Sequence, residues 1–512
     1  MNRYLRPQGL RRYFSAGQFF SFLDGYAYIF IYAALAFVSS LCGQEPLVFG
    51  LTALLVVLVC LFAKDTRALV PPIILVIYAV SWMHTPQGAS DFFNAPAAFV
   101  SFGILGAIAV AALAFRIAAF PPKGESRLPG LRTGLVVLCA AFLLNGALSA
   151  DFVLSDIVFG ALIAFSFIAA YLLIRRTCAY RKDNGLYFAA SCFAAGLVIF
   201  LQVAYALLFR DVWEGENGAL CSGIDLLRGF FAGGALPGGL SISKNAMIAG
   251  WGMSNNFGGM LAMFIPASLY LAYKVKNGWL FYLFAFAQLG AVACTLSRTA
   301  LLTGGILLVG GAVILSVARS PRRPFVRACN AAAILAAAAA GVLFFDRIRE
   351  IFAVIFDRGF GDSNRFAIWE YGLKKFFKSP LFGAGFDLHF YPDFDFDIAN
   401  WVFPDMFHNV FVQIFASCGL VGMAAYLYHL AQVLCLLLRR PSADRLLYLG
   451  IFLAVSGASL LDNHIFHIFP ALLYSLSLGF WETDAAAAAR LPLYGREARR
   501  FVPFAPKTLP QR

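Results

Sequence analysis

The sequence predicts an all-α, polytopic integral membrane protein with about 12–14 transmembrane helices. Three observations carry that expectation. Apolar residues make up 61% of the 512 positions and charged residues only 13%, which is more apolar than a soluble core of this size requires. Apolar windows of about 20 residues, the helix length that crosses a bilayer, recur along the whole chain. Lysine and arginine outnumber aspartate and glutamate, 40 to 27, for a net charge of +13. That excess falls on alternate connections, the pattern of membrane topology rather than of a nucleic-acid surface. The expected partner is therefore the lipid bilayer, and no nucleic acid.

The N-terminal segment is basic (Arg3, Arg6, Arg11, Arg12) and leads into a first span near 25–42 without a small-residue cleavage site, so no signal peptide is expected. Further windows follow near 46–63, 67–83, 96–119, 131–149, 152–174, 186–209, 246–273, 279–296, 299–318, 328–345, 406–438, 446–461 and 465–481. Basic connections such as Lys64/Arg67, Arg175/Arg176/Arg181/Lys182, Lys274/Lys276 and Arg439/Arg440/Arg445 alternate with connections that are poor in basic residues or balanced by acids. The basic set and both termini are expected in the cytoplasm, and the long connections Arg210–Asn245 and Asp346–Asp405 outside. The first of these contains GFFAGGALPGGLS and reads as an irregular, mobile cover. Three regions result: 1–245, N-terminal helices with the glycine-rich external loop; 246–481, a second membrane region that contains the external loop 346–405; and 482–512, a basic tail expected to be disordered along the inner leaflet. The ten cysteines show no CxxC pair, so neither a metal site nor a disulfide framework is expected.

Polar chemistry concentrates in a few places. Ser297-Arg298-Thr299 interrupts an apolar stretch at an external junction; Arg298 either snorkels to the interface or serves a site. After Asp362 and Ser363, which suit a helix cap, Phe366, Trp369, Leu373 and Phe376 recur at spacings of three and four, with Lys374, Lys375 and Lys378 off that face. This reads as an amphipathic helix in the external interface, with Arg365 on its first turn beside the positive helix N-terminus, a setting suited to phosphate. Ser379-Pro380 ends it, and Gly383 and Gly385 allow a tight turn. The segment from Asp387 to Asp405 mixes acids with aromatics, but its DFDFD run lacks the glycine and distal glutamate of a calcium loop. His408 and Asn409 open the next span, and His464 and His467 lie on the same side. Arginines beside a group that titrates near neutrality suit transfer chemistry on a phosphate-bearing substrate.

SRTALL from Ser297, RFAIWEYGLKKFFKSPLFGAGF from Arg365 and HNVFVQIFASCGLVG from His408 together resemble the shared region of the O-antigen ligase and O-antigen polymerase superfamily. The resemblance spans roughly Ser297 to Gly422 and is weaker over WGMSNNFGGMLAMFIP from Trp251. It implies a GT-C-like membrane glycosyltransferase of the bacterial inner membrane, active at the periplasmic face. The enzyme would need no metal and no other cofactor. The donor it implies is an undecaprenyl-diphosphate-linked glycan, and the acceptor is the lipid A core or another glycan. Carried onto this sequence, Arg298 and Arg365 stabilise the diphosphate, and His408 handles the acceptor proton. Arg347, Arg349, Arg358, Asn409 and Trp369 are weaker candidates for substrate contact. A polymerase of the same superfamily is the alternative. A transporter of lipid-linked oligosaccharides is a second, although the chain shows no paired halves.

Overall fold

The computed structural model describes residues 18–63, 65–78, 96–119, 131–150, 152–234, 239–244, 246–247, 254–317, 323–343, 365–386, 407–439 and 444–489. These residues are overwhelmingly helical. The first half comprises α1 (Gln18–Leu23), α2 (Tyr26–Cys42), α3 (Glu45–Phe62), α4 (Val70–Tyr78), α5 (Pro96–Ala119), α6 (Leu131–Leu143), α7 (Leu154–Thr177) and α8 (Asn184–Phe209). A connection holding α9 (Gly223–Phe231) leads to α10 (Ser254–Met263), α11 (Ile265–Lys274), α12 (Gly278–Cys294), α13 (Arg298–Val317), α14 (Arg323–Leu343), α15 (Arg365–Lys378), α16 (Val410–Arg439), α17 (Arg445–Asp462) and α18 (Ile468–Ala489). Five of them, α7, α8, α13, α16 and α17, are long and apolar enough to cross a membrane, and six more contain shorter apolar stretches. The chain is a polytopic, all-α membrane protein.

The structure departs from the sequence expectation in three places. The single window at 246–273 is two helices, because Pro266 stands in the first turn of α11 and has no N–H to continue the ladder from α10. The last helix runs past the apolar window to Ala489. It buries Glu482 and Asp484, since Tyr171 donates to Glu482, Arg175 pairs with it at 3.7 Å and Tyr448 donates to Asp484 at 3.0 Å. The expected tail from 482 therefore starts no earlier than 490, outside the described residues. The long connection also carries regular structure, while 235–238 of its glycine-rich run lie outside the described residues. It builds a three-stranded antiparallel sheet in the order β2-β1-β3, from β1 (Asp211–Glu214), β2 (Leu220–Ser222) and β3 (Ser241–Ile242). Trp213 ties β1 to the end of α8 through Nε1 and Leu207 O at 2.8 Å, and Ser222 caps α9 by accepting from Asp225 N.

The basic connections meet at one end of the bundle and are ion-paired there. Arg181 reaches Asp24 at 2.7 Å and Asp65 at 3.1 Å, and buried Arg67 reaches Asp183 at 3.0 Å. Lys274 pairs with Asp444 at 2.9 Å. From that pair α17 carries the chain along about 27 Å of helix to Asp462 at the other end, where the candidate site lies.

α16 is broken at Gly419, whose φ of 62° and ψ of −155° are not helical. The turn after α15 fills the gap. Ala384 N and Gly385 N donate to the carbonyls of Ala416 and Ser417, while Leu420 N and Val421 N donate to those of Pro380 and Leu381. Backbone groups freed by the break are thus re-satisfied inside the protein, as a low-dielectric surrounding demands. The turn is held from behind by Asn145, which accepts from Phe386 N at 2.9 Å and donates to Asp156 O at 2.9 Å. A Cβ on Gly419 would stand 2.5 Å from the Leu381 backbone. Gly419→Ala is expected to lower the melting temperature by several degrees, because it adds a clash to a positive φ. Differential scanning fluorimetry in detergent checks this; an unchanged melting temperature would contradict it.

Candidate functional site

The site starts from three turns at the same end of the bundle. Between α12 and α13, Thr295 Oγ1 donates to Val292 O at 2.6 Å and Ser297 Oγ caps α13 by accepting from Ala300 N. Exposed Arg298 thereby opens α13, where the helix dipole adds to its charge. Before α16, Asn409 Oδ1 accepts from Phe411 N and Val412 N, and this cap presents His408 just outside the helix. Between α17 and α18, Asp462, Asn463 and His464 make a tight connection whose 3₁₀ turn spans His464–Phe466. Leu296, His408 and Asn463 are the non-glycine residues with positive φ among those described, and each sits in one of these three turns. Such strain persists where the surroundings hold it in place, commonly at functional sites.

The turns are joined by polar contacts. His408 Nδ1 lies 2.9 Å from Asp462 Oδ1, with the histidine side chain 38% exposed and the aspartate 5%. A buried carboxylate at Nδ1 favours the tautomer with the proton on that nitrogen and leaves Nε2 free to accept another. Asp462 Oδ2 is 3.9 Å from Nε2 of buried His464. Below them, Gln413 Oε1 accepts from Asn463 Nδ2 at 2.8 Å and from Phe407 N at 3.1 Å, and Gln413 Nε2 donates to Ser417 Oγ beside the helix break. The break in α16 and the His408–Asp462 pair are therefore parts of one hydrogen-bonded assembly. α10 closes against it through two small residues. A Cβ on Gly258 would meet Thr295 Oγ1, and one on Gly259 would meet His464 Nε2, each at 2.5 Å.

Arg365 and Lys244 act electrostatically on Asp462, and Arg298 acts on Lys244. The Asp462 carboxylate feels Arg365 as well as His408 and His464. Arg365 is the first residue of α15, which packs on α16 through Ile368, Tyr371 and Val412 around Phe407, and through Phe376 on Phe415 at 5.1 Å. A further cation was not foreseen from the sequence. Lys244, just after β3, has its ammonium pKa lowered first by partial burial; Asp462 opposes this, and the Arg298 and Arg365 guanidinium groups reinforce it. Arg298, Arg365, Lys244 and Asp462 thus share one electrostatic field. The signal for Lys244 was its place in the long 210–245 connection, but only the small sheet delivers it to the site.

The weaker candidates divide. Asn409 is engaged structurally, for besides capping α16 it donates through Nδ2 to Leu460 O at 3.1 Å. Trp369 is half-buried on α15 and packs edge-on against Phe366, with ring centroids 5.4 Å apart. Arg347, Arg349 and Arg358, the DFDFD segment, and the caps Asp362 and Ser363 lie outside the described residues. The predicted lysine face of α15 needs a correction. Lys375 is buried against α16 with its ammonium 5.6 Å from the Tyr371 ring centre, while Phe366 and Leu373 are exposed. Gly372 opens the face beneath Phe407 and Val412, so α15 docks by that side.

Burial lowers the pKa of His464, and it pushes His467 down to about 3. Both are neutral in the folded protein near pH 7, whereas in the unfolded chain they take up protons below about pH 6.5. Protons bound only by the unfolded state favour unfolding. Stability is thus full above pH 6.5 and falls as pH drops toward the folded values, by about 1.4 kcal/mol per pH unit for His467 and in the same direction for His464. The melting temperature is expected to drop between pH 7 and pH 5, and to drop less in His467→Gln; equal slopes would contradict the assignment.

A carboxylate–imidazole pair whose carboxylate is coupled to Arg365 and Lys244, at one end of a helical membrane bundle, is an arrangement able to meet negative charge and to move a proton. Residues 283–427, from within α12 to within α16, match the O-antigen ligase family. No curated protein matches the chain. The family implies a glycosyltransferase-like membrane enzyme that handles lipid-linked glycans. The matched region includes Arg298, Arg365 and His408, while Lys244 and Asp462 lie outside it and join the site through folding.

Proposed function

We propose that the protein transfers a glycan from an undecaprenyl-diphosphate carrier to an acceptor hydroxyl, in the manner of an O-antigen ligase with the lipid A core as acceptor. The observation that carries this is the His408–Asp462 pair standing in the same field as Arg298, Arg365 and Lys244. The acceptor oxygen attacks the anomeric carbon, and the bond from that carbon to the diphosphate oxygen breaks with inversion. The acceptor proton passes to His408 Nε2, and the carrier leaves as polyprenyl diphosphate. Diphosphate needs charge stabilisation more than protonation as it leaves, and planar guanidinium forks provide that in bidentate fashion. Asp462 orients the imidazole and stabilises the imidazolium that forms. Ion-paired basic connections at the opposite end of the bundle support a site at the periplasmic face of the inner membrane, with both termini in the cytoplasm.

The same geometry serves a polymerase, whose acceptor is another carrier-linked chain. A purified-protein assay with undecaprenyl-diphosphate glycan, with and without lipid A core, separates the two. Product that requires lipid A core supports the ligase; lengthened donor alone makes the protein a polymerase. No turnover under either condition would overturn the transferase reading.

A further inference from the structure

One buried side chain stands between the two strained turns that carry His408 and Asp462. Gln413, 1% exposed and one turn into α16, accepts at Oε1 from Phe407 N at 3.1 Å and from Asn463 Nδ2 at 2.8 Å. Phe407 precedes His408 and Asn463 follows Asp462, so a single oxygen ties the backbone beside the imidazole to the side chain beside the carboxylate. His408 and Asn463 also carry two of the positive φ values, 49° and 51°, which persist where neighbours hold them. The amide has one way to sit. Its Nε2 donates to Ser417 Oγ at 3.0 Å, and turning it over would set N–H groups against two other N–H donors. Burial raises the cost of losing any of these bonds. Asn409 joins the same two elements through Leu460 O, but is only half-buried.

We infer that Gln413 is the positioning residue of the base: it sets the separation and angle at which His408 meets Asp462, and acts on transfer only through His408. The inference rests on the transferase reading, in which His408 Nε2 takes the acceptor proton and the arginines hold the diphosphate. A misplacement of about 1 Å at a reacting group costs on the order of 10²-fold in rate. Loss of one of the two Oε1 bonds lets the imidazole drift by a fraction of that.

The test is a double-mutant cycle on the full-length protein in nanodiscs, with undecaprenyl-diphosphate glycan and lipid A core both present. Asn463→Gly removes the Nδ2 donor, and glycine takes the positive φ freely. Gln413→Met keeps the length and removes the amide; should it fail to insert, Asn463→Gly decides alone. Each is expected to lower kcat about tenfold and to leave donor KM within about twofold. In a His408→Ala background neither should lower the residual kcat by more than about twofold, because a group that acts through the imidazole has nothing left to position. A tenfold loss in that background too, or a matching rise in donor KM, would mark general loosening of the bundle and overturn the inference. Wild-type kcat in Asn463→Gly, with His408→Ala still impaired, would overturn it and leave the transferase reading standing. No turnover by the wild type would overturn both.

Discussion

His408→Ala is expected to lower kcat for glycan transfer by about 10²–10⁴-fold, the range of a lost general base. Its donor affinity should change little, because the diphosphate is assigned to the arginines. The expectation follows from position: the imidazole is partly open, its Nδ1 is engaged by Asp462 at 2.9 Å, and its backbone is held at φ 49° by the cap of α16. Asp462→Asn should cause a smaller loss in the same direction. The amide oxygen still accepts from Nδ1, but the charge that stabilises an imidazolium is gone. Steady-state kinetics of the purified variants check both, with donor binding measured separately.

Arg298→Ala and Arg365→Ala are each expected to lower kcat/KM by about 10²–10³-fold, the loss found when one preorganised donor to a developing anion is removed. Lysine at either position should recover only part of it, because an ammonium lacks the planar fork that pairs two oxygens at once. The two sites differ in setting: Arg298 opens a long span and is exposed, whereas Arg365 is half-buried on a shorter helix docked against α16. A lysine that restores full activity at Arg365 would show that charge alone suffices there.

Much of the bundle was legible because spanning helices announce themselves by length and apolarity. The windows at 96–119, 186–209 and 299–318 lie within about two residues of α5, α8 and α13. Arg298, Arg365 and His408 stood out because polar residues at the ends of apolar spans are few. Long-range contacts stayed hidden. Asp462 lies just past the apolar window at 446–461, and only the packing of α17 brings it to His408, 54 positions earlier. Lys244 was one basic residue in a glycine-rich connection until the fold placed it within the field of the arginines. The break in α16 was equally silent, since Gly419 becomes a break only when the Pro380–Gly385 turn supplies backbone partners for it. Charges at the end of α18 stopped the apolar window early, although Tyr171, Arg175 and Tyr448 make those charges buriable.

In the proposed transfer the cations hold the carrier diphosphate while His408, set by Asp462, takes the acceptor proton. Its most direct test is donor dissociation constant and kcat measured side by side for wild type, Arg365→Ala and His408→Ala, with undecaprenyl-diphosphate glycan in nanodiscs. Donor binding is expected to weaken in Arg365→Ala, and to stay near wild type with kcat down at least about 100-fold in His408→Ala. Transfer at the wild-type rate by His408→Ala would contradict it.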